Sequence, residues 1–142
     1  MLARLLLVAL MAIGPAAHAS NSANAKALLD QARAVIDGSV SWSAKSQAER
    51  MKLVASSNEL AKRGEAFFST STGTAKSSCM ALFQGIGEYA FGLNALALSA
   101  EGRVQRHSSE LLGFSRAAVS LGEHYRTCSD AIRGGGAPTL LL

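Results

Sequence analysis

Two cysteines, two histidines outside the N-terminal leader and one glutamate in an apolar stretch are the residues from which chemistry would be built. Cys79 and Cys128 stand 49 positions apart. That spacing is not the C-x-x-C of a redox catalyst, and two thiols are too few for a structural zinc site. In an oxidising compartment an even cysteine count reads as a disulfide. His107 and His124 are separated by 17 positions, about 26 Å along a straight helix, so one chain cannot bring both to a single metal. Covalent haem attachment requires C-x-x-C-H, whereas Cys128 is followed by Ser129, Asp130 and Ala131. Non-covalent haem on Met51, Met80 or a histidine is the one haem geometry left, and no cofactor is expected.

Glu88 is the acidic residue of the apolar run Cys79 to Ala100, which otherwise carries only Gln84, Asn94 and Ser99 as clearly polar side chains. A buried carboxylate there would be tuned toward neutral pH for acid or base catalysis, and an exposed one would be a point of contact for a partner. Spacing ties no histidine, second carboxylate or nucleophile to it. The sequence contains no GxSxG elbow and no HExxH, so an enzyme is not expected. Trp42 lies in a Ser/Val/Ser segment ahead of a helix. It suits either an anchor for a partner or a lid folded over one end of the domain, the second being the plainer role. The remaining aromatics, Phe67, Phe68, Phe83, Tyr89, Phe91, Phe114 and Tyr125, read as core.

The address of the chain comes from its first nineteen residues. Arg4 precedes the apolar run Leu5 to Ile13, Gly14-Pro15 breaks it, and Ala17-His18-Ala19 supplies small residues before Ser20. This is the order of a secretory signal peptide, and the apolar run is too short to cross a bilayer. The expected organisation is a signal peptide at 1–19, one domain at 20–136 and a tail at 137–142. A periplasmic or secreted location follows, with no stable membrane span after cleavage. The net charge of +4 over 142 residues is spread without a basic stripe, which argues against nucleic acid as a partner.

The only prolines are Pro15 and Pro138, so nothing between them must break a helix, and the fold expected is an all-α up-down bundle. It has three long helices and a shorter N-terminal one. The first helix is expected over Ser22 to Ile36, ending at the turn signal Asp37-Gly38-Ser39. The second is expected from near Ser43 to Phe68, or from the capping-box pair Ser46 and Glu49, with Leu53, Ser57, Leu60, Gly64 and Phe67 as its inward seam. The third, Ala75 to Ala100, is apolar nearly all round. Glu88 and its glycines favour a central helix over a lipid-embedded one. Ser78, Gly85, Gly92 and Ser99 recur every seven residues as a small-residue stripe that would admit a neighbouring helix or a second copy of the chain.

The fourth helix, Val104 to Ile132, has the clearest periodicity: Val104, Leu111, Phe114, Ala118, Leu121, Tyr125, Cys128 and Ile132. If the last two helices form an antiparallel hairpin about Gly102, Cys79 and Cys128 reach the same end with a mismatch of about 4–5 Å. They are therefore expected to form an intrachain disulfide. Export, small size, a stapled scaffold and no catalytic constellation together point to a module that binds another exported protein. Such a module is an inhibitor, an immunity protein that neutralises a toxin, or an accessory subunit. The alternative is a bundle that carries a small molecule or cofactor around Gln84, Glu88 and Asn94.

Overall fold

The computed structural model describes residues 14–100 and 109–134, the side chains of 14–20, 40, 43, 98–100 and 109–115 excepted. The described residues form four α-helices and no strand: α1 (Gly14–Val40), α2 (Gln47–Ser69), α3 (Gly73–Ala100) and α4 (Ser109–Arg133). One 3₁₀ turn, Trp42–Ala44, joins α1 to α2. The leader before residue 14, the Gly102 turn, Val104, His107 and the tail lie outside the described residues.

The helix α1 begins with Gly14 and Pro15 in its first turn, where a missing N–H breaks no helical bond. It runs through Ala17-His18-Ala19, and the part beyond residue 19 is shorter than any other helix of the bundle. Its far end corrects the sequence reading, because Asp37-Gly38-Ser39 is helical and the helix continues to Val40. The turn-forming side chains are engaged within the helix. Arg33 Nε donates to both Asp37 carboxylate oxygens at 3.1 Å, and the Ser39 hydroxyl donates to the Ile36 carbonyl at 2.6 Å. Leu53 packs where a side chain at Gly38 would begin, with its Cδ1 3.6 Å from that position.

Ser46, not Ser43, starts α2. Its hydroxyl accepts from Glu49 N–H at 3.3 Å, while Ser46 N–H donates to the Glu49 carboxylate at 2.7 Å, completing a capping box. The helix buries more than one stripe. Ser57, Leu60 and Gly64 are buried and Leu53 and Phe67 half-buried, but Val54, Ala61 and Phe68 are buried as well. The extra stripe exists because α2 is flanked by α1 on one side and α3 on the other. At the α2–α3 corner, Gly73 adopts φ +70°, a left-handed conformation for which glycine carries no Cβ penalty.

The central helix is α3, packed closely along α2 and along α4, while α1 closes the bundle against α2 and α4 at longer range. Cys79, Leu82, Phe83, Ile86 and Ala90 on α3 are fully buried. Small residues set the close approach: a Cβ at Gly87 would lie 3.6 Å from Ala61 Cβ, and one at Gly85 would lie 3.6 Å from both Leu121 and His124. Within the small-residue stripe, Gly85 is therefore met by α4 of the same chain.

On α4 the seam runs through Leu121, Tyr125, Cys128 and Ile132 as the spacing predicts, and differs at one position, where Ala117 replaces Ala118. Ala117 is buried and Ala118 exposed, whereas Leu121 and Cys128 are buried and Tyr125 and Ile132 half-buried. Alanine is too small to mark a face by its apolar character, and the turn set by Leu121 and Cys128 decides. Gly134 N–H donates to the Asp130 carbonyl at 2.9 Å, closing the helix. None of the described helices is long and apolar enough to cross a membrane.

Candidate functional site

The two cysteines meet at one end of the α3–α4 pair. They form a disulfide with Cα atoms 4.6 Å apart, and both residues are fully buried. The bond is enclosed in the core and takes no part in any surface site; it fastens the fourth helix to the central one.

The residues singled out as contact points separate. Trp42 is half-buried in the 3₁₀ turn and packs against the core. Arg50 fixes it from the first turn of α2, with its guanidinium 5.6 Å from the indole centre and Nε donating to the Trp42 carbonyl at 3.1 Å. Trp42 thus lies at the α1–α2 corner, packed against the core on one side. Glu88 is instead exposed on α3, as is Gln84 one turn before it, and Asn94 is half-buried. Gln84 and Glu88 thus point to solvent and line no interior chamber.

Phe91 is the residue that the sequence reading misplaced. It was expected in the core but is 59% exposed. Gln84, Glu88 and Phe91 occupy positions i, i+4 and i+7, one solvent-facing stripe of the central helix. The same spacing carries a faint signal: Gln84 and Glu88 share a face, but two polar residues in a run apolar nearly all round do not fix its wet side, and the aromatic lies there. The buried aromatics pack elsewhere, Phe68 stacking on Phe83 with ring centres 5.6 Å apart. Tyr89 is also buried. Burial pushes its phenol above the ordinary value, and a hydrogen bond with Ser39 opposes that rise.

His124 is half-buried on α4 facing Gly85, and His107 lies outside the described residues. Met51 is 44% exposed and Met80 half-buried, on different helices. Among the described residues no three His, Cys, Asp or Glu side chains converge on a point that could hold a metal. No protein-family model matches this sequence, and no curated protein or solved structure matches it either. Its chemistry must be read from its own surface.

Proposed function

We propose that this protein is an exported binding module for another protein, acting as an inhibitor, an immunity protein or an accessory subunit, and that it is not an enzyme. The observation that carries the reading is Phe91. An aromatic ring that is more than half exposed in the middle of the central helix, with Glu88 and Gln84 beside it, has the composition of an anchor with a polar rim. The disulfide holds that helix in a fixed frame, which lowers the ordering penalty on association. The partner it fits is an exported protein that offers an apolar pocket for Phe91 and a basic group for Glu88. The signal-like leader and the buried disulfide support the periplasmic or secreted location in which such a partner would be met.

The test is affinity purification of the native-expressed protein beside Phe91→Asp and Val119→Asp, the latter altering a valine that is 83% exposed on α4. The expected result is one exported protein recovered in stoichiometric amount with the wild type and the Val119 variant, and lost with Phe91→Asp. Recovery of free monomer alone, or a partner indifferent to Phe91→Asp, overturns the proposal.

A further inference from the structure

Beyond the Phe91 face, α1 and α4 enclose a groove of about 270 Å³ between Ser22, Lys26, Leu29 and Asp30 on one side and Tyr125, Ser129, Ile132 and Arg133 on the other. It exists because α1 stands farther from its neighbours than the other helices do. Arg33 spans the seam, its guanidinium 5.8 Å from the Tyr125 ring centre while Asp37 holds its other side.

Three features of the groove point to a ligand. Leu29, Tyr125 and Ile132 give it an apolar wall. Ser129 is only 5% exposed and lines the cavity, and its hydroxyl has no hydrogen-bond partner among the described residues. Lys26, Asp30 and Arg133 make no ion pair or hydrogen bond with any described residue, which leaves two cations and one anion at the rim.

We propose that this groove binds a small free carboxylate with an apolar body. Its head accepts a hydrogen bond from Ser129 and is drawn by Lys26 and Arg133. Its body lies along Leu29, Tyr125 and Ile132. Asp30 sets the selectivity within the class, since one negative charge among two positive ones admits a monoanion and disfavours a dianion.

The probe is octanoate, titrated into the intact protein and followed by amide chemical shifts, with octylamine and octanol as head-group controls. Saturable one-to-one binding of octanoate is expected, with shifts centred on Leu29, Tyr125 and Ser129. Arg133→Glu should weaken it by roughly tenfold and Ser129→Ala by several-fold. Lys26→Glu, on an exposed side chain, repeats the charge test should Ser129→Ala fail to fold. Equal binding of all three head groups, indifference to Arg133→Glu and Lys26→Glu, or no saturation overturns the site. None of these outcomes bears on the Phe91 face, which lies on α3.

Discussion

The ring of Phe83 fills the space into which any side chain at Gly64 would project. A Cβ built on Gly64 would stand 2.1 Å from Phe83 Cγ and Cδ1, far inside contact distance. Phe83 is fully buried and stacked on Phe68, so the ring has no free volume to retreat into. This contact joins α2 to α3, and it requires glycine inside a helix where glycine is intrinsically unfavourable by about 1 kcal/mol relative to alanine.

Gly64→Ala should therefore destabilise the protein, by about 1–3 kcal/mol from overpacking, despite its gain in helix propensity. Gly87→Ala is the control, because its Cβ would meet Ala61 at an ordinary 3.6 Å. That variant should be neutral or more stable. Thermal unfolding followed by circular dichroism separates the two, and equal effects at both positions would contradict the packing account.

Removing the Cys79–Cys128 bond by double alanine substitution should lower stability by roughly 4 kcal/mol, as chain entropy predicts for a loop of this length. Both cysteines are fully buried, so reductant should act on the native protein only through opening of the α3–α4 end. Urea unfolding with and without reductant gives the first value, and the rate of thiol release in rising urea gives the second. Rapid reduction in the absence of urea would count against an enclosed bond.

At the start of α2, Ser46→Ala should weaken the helix by about 1 kcal/mol through loss of the cap. The hydrogen bonds from the Ser46 hydroxyl and backbone N–H hold the Glu49 carboxyl below its ordinary 4.5. A carboxyl depressed in the folded state stabilises above its unfolded value, and that contribution fades as pH falls through the folded one. The protection of the Glu49 and Arg50 amides against exchange, taken relative to the intrinsic rate at each pH, should accordingly fall on acidification below 4.5, and Ser46→Ala should remove most of that pH response. An unchanged acid response in the variant would place its origin elsewhere.

The capping box shows how much was legible locally: Ser46 and Glu49 at i and i+3 are enough to place a helix start, because both partners lie on one turn. The hairpin pairing of Cys79 with Cys128 was legible for a related reason, since helix rise and a single turn fix which ends meet. Asp37-Gly38-Ser39 went the other way. Its turn propensity amounts to a few side-chain hydrogen bonds, and the helix absorbs them through Arg33 and Ile36 while Leu53 packs at Gly38. Ala117 and Ala118 could not be ranked by pattern, since neither methyl group carries enough apolar area to set a face.

By itself the sequence determined an all-helical bundle, a helix start at the Ser46 and Glu49 pair, and a seam that turns Leu121 and Cys128 inward. Those are consequences of backbone freedom and of apolar spacing within one helix. Only the tertiary structure decided that Phe91 faces water, that Trp42 is held under Arg50, and that α1 stands off from α4 to leave a groove around Ser129. The apolar run of α3 carries too few polar residues to mark its wet side, so the exposed stripe is assigned by what packs against it. Burial there is a property of neighbouring helices and their separation, which periodicity along one segment does not contain.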